Sequence, residues 1–394
     1  MGIKTALRKT AEKIFQSKWY PNKKILLESK PDMGCQTYPV FQYMLKEGLN
    51  EKYKLIWLVS NKDEYKDVHI KNVKFLNYEP QNFFERFYRR YLLFTSRAMM
   101  YSNRYIGKVF DKQLLVYLRH GTASIKSRIK HRRENDINES DISISISHFF
   151  DDIDVMELNI RRESLFESGC PRSDYLFESV DYCEKLFPEN KYDKIIIWMP
   201  TFRKTDSSDR IDSTFEFPLG LPCLYSNEDC ERLNEALANN NILLVLKPHP
   251  AQDLSVLKSM NLSNFVTVYD SDIKKAGIQL YQFLGSTDAL ITDYSSVYYD
   301  YLLTGKNIGI TIDDIDEYVK DTGFVFDNVF DILVGEYIKN TDEFIEFVKH
   351  IASGEDSKKE QREKVCNLVH KYKDNQSTKR VYEHIVEELE KRYQ

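Results

Sequence analysis

The chain has 394 residues, 42% hydrophobic and 30% charged, which is far from a disordered composition and enough for about two domains at roughly 150 residues each. Lys and Arg number 56 against 61 Asp and Glu, a formal net charge of −5 that excludes a globally basic nucleic-acid binder. No apolar run reaches the roughly 18 residues of a membrane span, no signal peptide is evident, and the six scattered cysteines lack a CxxC pair, so the expectation is a reduced, cytosolic chain with no zinc site.

Residues 1–22 read as a basic amphipathic helix. Ile3, Ala6, Leu7, Ala11, Ile14 and Phe15 fall at helical spacing, and Lys4, Arg8, Lys9, Lys13 and Lys18 outnumber Glu12. Such a helix can lie on an anionic membrane surface or pack on its own domain with a solvated basic face. The aromatic and basic run Phe83 to Tyr91 adds to the case for a membrane-facing surface.

From Lys24 onward short apolar runs alternate with helical patterns. Strands are expected at 24–28, 53–60, 73–76, 98–103 and 112–118, with helices at 39–46 and around 82–95. Residues 140–150 (SDISISISHFF) alternate with period two, which fits a short strand, although a helix is open. After a turn-like break near Pro188 the pattern restarts. Strands are expected at 194–199, 241–247, 265–269, 288–293 and 307–312, helices at 227–240, 277–284 and 295–304, and charged helices from 340 to the end. The α/β alternation predicts two doubly wound parallel sheets, with a cleft lined by the loops after their strands. The expected divisions are 1–22, 23–180, 181–340 and 341–394.

Polar residues stand where buried strands end. The strand at 194–199 exits through Pro200 into Thr201-Phe202-Arg203, and Arg203 can fork onto a phosphate or lie on the surface. In Leu246-Lys247-Pro248-His249-Pro250 two prolines fix the backbone around His249, as a reactive or a capping group. Lys247 can reach the cleft or snorkel from the strand end. Asp293 closes the next strand and can take ribose hydroxyls or a base edge. Ser295 or Ser296 is the natural cap of the following helix, whose first amides can bind an anion. In the first half His120 follows a strand, Gly121 allows a tight turn, and a basic run from Lys126 to Arg133 suits a phosphate-rich substrate or a solvated face. An imidazole can take a proton from an alcohol at neutral pH. There is no Walker A loop, GxGxxG, GxSxG or HExxH motif.

The ordered strings HGT…K (120–126), GCPRSD (169–174), MPTFR (199–203), LKPHP (246–250) and ITDYSSVYYDY (291–301) resemble the CDP-glycerol glycerophosphotransferase family, the teichoic acid primases and polymerases with their capsule-assembly relatives. The likeness extends over roughly residues 24–385. Arg119 stands where the family commonly has Trp. The resemblance implies a GT-B fold of two facing Rossmann-like domains, the N-terminal one on the acceptor side and the C-terminal one binding the donor. It implies transfer of glycerol phosphate, or a related alditol phosphate, from a CDP-alditol to a hydroxyl of a lipid-linked glycan or polymer acceptor, releasing CMP. It implies peripheral attachment to the inner face of the cell membrane, with no cofactor beyond the donor, no metal and no nucleic acid. His120 and His249 match the two motif histidines, as catalytic residues. Arg203, Lys247, Asp293, Ser295, Ser296, Arg172, Lys126 and Thr201 are the expected substrate and nucleotide ligands. The alternatives are a GT-B sugar transferase using a UDP- or GDP-sugar, and a non-catalytic protein docking membranes or teichoic polymers.

Overall fold

A computed structural model describes residues 22–121, 123–127, 138–189, 192–201, 203, 213–248 and 260–394. The N-terminal basic segment, the run 128–137, and His249 with Pro250 lie outside the described residues.

Seven strands form the first sheet: β1 (Asn22–Glu28), β2 (Lys54–Val59), β3 (Val73–Asn77), β4 (Ser96–Tyr101), β5 (Leu114–Tyr117), β6 (Ile142–Ser145) and β7 (Leu165–Glu167). Their order is β3-β2-β1-β4-β5-β6-β7, every pair parallel. Six form the second: β8 (Lys194–Met199), β9 (Ile242–Leu246), β10 (Phe265–Thr267), β11 (Ala289–Thr292), β12 (Asn307–Thr311) and β13 (Glu336–Ile338). That sheet is also all parallel, in the order β10-β9-β8-β11-β12-β13. The two sheets repeat one doubly wound topology, and together they make the expected GT-B architecture.

The central strands are buried on both faces, which is why they read as unbroken apolar runs: Ile25 to Leu27, Leu55 to Val59, Ile195 to Trp198 and Ile242 to Leu246. Trp57 packs edge-on against Phe41, and Trp198 against Phe344, with ring centroids 5.4 and 5.0 Å apart. The alternating ISIS of β6 is also buried throughout. Its serines are tied down instead of exposed: Ser143 Oγ lies 2.7 Å from Ser140 Oγ, and Ser145 donates to the Ser147 carbonyl at 3.1 Å.

The chain order reverses in each sheet beside its first strand, and ligands of doubly wound folds bind in the crevice that opens there. In the first sheet this is the end of β1 and β4, where buried Glu28 accepts from the amides of Asn103 and Arg104 and from Arg104 Nε at 2.8 Å. In the second it is the end of β8 and β11, where Thr201 meets Asp293.

Three elements bridge the sheets. The segment Pro171–Phe177 packs on the helices Leu280–Ser286 and Thr37–Lys46. The C-terminal helix Ser377–Tyr393 returns to the first half and packs on Thr37–Lys46. Its first amides, Ser377 and Thr378, donate to Asp174 at 3.0 and 2.8 Å, so the GCPRSD string supplies the cap that the helix lacks of its own. Between these, Lys371 N donates to the Ile146 carbonyl beyond β6, and His370 Nε2 meets the Tyr299 carbonyl at 2.8 Å. The helix Thr341–Ser353 instead covers the second sheet, beside Asn227–Asn239.

Candidate active site

His120 follows β5 on a sharply turned backbone. Arg119 before it is left-handed, at φ +60°, and buried, and its guanidinium forks onto Asp154 at 2.7 and 2.8 Å. Burial works against that charge and Asp154 outweighs it, so the Arg119 pKa is raised. The residue standing in place of the family's Trp is therefore a structural anchor that leaves the imidazole exposed. Cys35 Sγ lies 3.4 Å from His120 Nδ1, and Arg172 Nη1 donates to the His120 carbonyl at 2.7 Å.

Gly121 does not take the left-handed conformation that a tight turn would ask of it. It is small for another reason: a Cβ there would stand 3.1 Å from Ser296 Oγ. The loop after β5 thus touches the loop after β11 across the cleft. Ser296 does cap the helix Val297–Leu302, but by position alone, since its side chain makes no capping hydrogen bond. Gly305 closes that segment at φ +68°.

Arg172 belongs to the same cluster, and it faces the protein. Its Nη2 pairs with Asp300 at 2.9 Å, and the guanidinium stacks 4.4 Å from the Tyr281 ring. Ser173 and Tyr281 also donate to Asp300, which is fully buried. Through Nη1 and Nη2 the guanidinium thus ties the two halves together.

Arg203 is engaged in the same way. It is 6% exposed and donates to Asp314 at 2.6 and 3.1 Å and to Asp293 at 2.8 Å, among the rings of Tyr294, Tyr318 and Phe217. Burial opposes its charge, and the two carboxylates hold its pKa above the ordinary arginine value. Asp293 accepts from the Thr201 amide at 2.8 Å and from the Thr201 hydroxyl, and it has no exposed surface. Arg203, Asp293 and Thr201 thus form one hydrogen-bonded unit at the end of β8, with both charges buried and paired.

Lys247, 6% exposed after β9, pairs with Asp270 at 3.0 Å and donates to the Pro248 carbonyl at 3.3 Å. Lys126 is joined to the second half by its backbone: it bridges Phe324, and its neighbours Ile125 and Ser127 bond Val325 and Gly323. His120, Ser296 and Arg172 are thus brought together. Thr201, Arg203 and Asp293 form a second cluster, two residues along the chain from Ser295. Among the described residues no group of His, Cys, Asp and Glu is arranged to hold a metal ion.

Asp154, Asp314 and Cys35 carry much of this geometry without any motif to announce them, while Asp300 stands in the ITDYSSVYYDY string without having been singled out. Only their partners, such as Arg119 and Arg203, stand at strand ends.

Residues 12–387 match the profile of the family described as CDP-Glycerol:Poly(glycerophosphate) glycerophosphotransferase. The chain belongs to this family. It is 28% identical over 233 residues to the teichoic acid poly(ribitol-phosphate) polymerase of Bacillus spizizenii, a match covering 57% of this chain and 34% of that one. It thus spans about a third of that relative's length. It is 25% identical over 350 residues to the teichoic acid poly(glycerol phosphate) polymerase of the same organism, covering 81% of each. In structure it is similar to the wall teichoic acid polymerase TagF, with a TM-score of 0.73, 18% identity and 100% of both chains covered. A variant of TagF soaked with CDPG gives 0.72, at 16% identity, over 100% of this chain and 96% of that one.

Arg203→Lys keeps a charge but cannot fork onto both Asp293 and Asp314. It should lower the stability to chemical denaturation by about 1–3 kcal/mol, the cost of leaving a buried carboxylate short of donors. A solvated Arg203 would give no change.

Proposed function

We propose that the chain transfers glycerol phosphate, or a related alditol phosphate, from a CDP-alditol to a hydroxyl of a membrane-associated glycan or teichoic acid acceptor. Family membership supports the donor and acceptor classes. The observation that supports the reading is the approach of the loop carrying exposed His120 and Gly121 to Ser296, at the start of the helix after β11.

The acceptor oxygen attacks the phosphorus that bears glycerol and forms a new O–P bond. The bond from that phosphorus to the bridging oxygen breaks, and CMP leaves with the electron pair. His120 takes the proton of the attacking hydroxyl. In this reading His249 stabilises the charge that develops on the diphosphate, together with the backbone at Ser295 and Ser296. Such transfers depend mainly on positioning and charge stabilisation. Thr201, Arg203, Asp293 and Arg172 position this surface without touching the donor, and Lys247 and Lys126 lie at its rim.

The chain works at the inner membrane surface. No helix among the described residues is long and apolar enough to cross a membrane. The helix Phe83–Thr95 instead exposes Phe83, Phe84 and Phe87 at 75, 81 and 68%, with exposed Arg86 and Arg90 beside them. Aromatic rings flanked by cations suit an anionic lipid interface.

Incubation with CDP-glycerol, CDP-ribitol, UDP-sugars and a lipid-disaccharide acceptor tests the reaction, read by the released nucleotide and the product mass. CMP with an alditol-phosphate product is expected, and His120→Ala should lower its release roughly 10²–10⁴-fold. Release of UDP would favour a sugar transferase, and no turnover on any donor would leave a binding protein.

Replacing Phe83, Phe84 and Phe87 together by Ser should weaken co-sedimentation with phosphatidylglycerol vesicles about tenfold or more, with turnover on a soluble acceptor kept. Unchanged sedimentation would remove this helix from the membrane contact.

A further inference from the structure

Cys35 is the one cysteine of six that is not fully buried. It lies on the loop between β1 and the helix Thr37–Lys46, at φ +54°, a left-handed conformation that costs a side-chain-bearing residue energy and persists only where the surroundings hold it. The loop is held at several points. Ser29 Oγ accepts the Gly34 amide and donates to the Pro31 carbonyl at 2.8 Å. Gln36 Oε1 accepts the Arg172 amide at 3.0 Å.

Two left-handed residues, Cys35 and Arg119, thus converge on His120 from separate loops. Sγ of Cys35 is 3.4 Å from His120 Nδ1, 3.8 Å from the Arg119 carbonyl and 3.7 Å from the His120 carbonyl. Arg172 Nη1, which holds the His120 carbonyl, is 3.9 Å from the same sulfur.

We propose that Cys35 is a positioning residue for His120, its sulfur accepting Nδ1–H so that Nε2 faces the cleft unprotonated. The proposal rests on the reading of His120 as the general base. A thiol has one hydrogen, and two carbonyl oxygens stand ready to take it, so the sulfur lone pairs are left for the imidazole N–H. Burial, the largest influence, pushes the Cys35 thiol up against the pull of Arg172, so the group stays a neutral thiol at physiological pH.

The arrangement resembles the third member of a catalytic triad in geometry and differs from it in charge. A carboxylate in that place orients the imidazole and stabilises its protonated form. A thiol orients the ring without placing a negative charge beside it. For a phosphoryl-type transfer with a loose transition state, positioning carries much of the catalysis, so orienting the base matters.

The first test needs no variant. In ¹⁵N NMR of the full chain, with the His120 signals assigned by difference against His120→Gln, the neutral ring should carry its proton on Nδ1. A proton on Nε2 would overturn the proposal. Cys35→Ala should lower kcat for CMP release about tenfold, a fraction of what a general base supplies, with KM for the CDP-alditol unchanged. Cys35→Ser, which restores an acceptor and a hydroxyl, should recover most of that loss. Wild-type kcat and an unchanged tautomer in Cys35→Ala would also overturn it. His120→Ala separates the two claims. If His120→Ala is inactive while Cys35→Ala is wild type, only the positioning role falls. If His120→Ala keeps its activity, the base assignment falls, and the positioning role with it.

Discussion

Arg172 reaches in three directions at once, and the relation between the two halves depends on it. One guanidinium nitrogen holds the His120 carbonyl, another pairs with Asp300 beyond β11, and the plane stacks on Tyr281. Asp300 in turn collects Ser173 and Tyr281. A buried pair of this kind gains little net stability over an apolar substitute, because both charges leave water. What it fixes is register: the His120 loop of one sheet is placed against the helix start of the other. The same short string continues to Asp174, which caps the C-terminal helix as it returns to the first half. One turn of chain thus ties the first sheet, the second sheet and the closing helix.

The second cluster applies the same logic within one domain. Arg203 stands between Asp293 and Asp314, at the point where the order of the second sheet reverses. Its charge is neutralised within the fold, and Asp293 also holds Thr201 at the end of β8 before any donor arrives. Preorganisation of this sort lets a site that relies on positioning act without reorganising during reaction. The exposed groups are few, His120 first among them, and each stands on a scaffold of buried ion pairs.

The parallel sheets were legible because strands buried on both faces carry unbroken apolar runs. The three-residue strands β7 and β13 are too short to leave such a signal. The ISIS run of β6 suggested one polar face, but its serines find hydroxyl and carbonyl partners inside the fold. The polar residues at the strand ends were legible as a set. Their roles were not legible, because an arginine in a string looks free until its partner is known. The partners of Arg172 and Arg203, Asp300 and Asp314, lie more than a hundred positions away along the chain. Gly121 shows the same limit. Its smallness reads as a turn, whereas the reason is Ser296, a neighbour only in three dimensions.

The coupling of Arg172 to Asp300 is the most direct point at which to test this account. A double-mutant cycle on CMP release would compare Arg172→Ala, Asp300→Ala and the pair, at a temperature where all three remain folded. Each single variant should lose turnover by a similar factor, and the double variant should be no worse than either, because one tie is broken in every case. Losses that multiply in the double variant, or single variants with full activity, would contradict the claim that this pair sets the His120 loop against the second sheet.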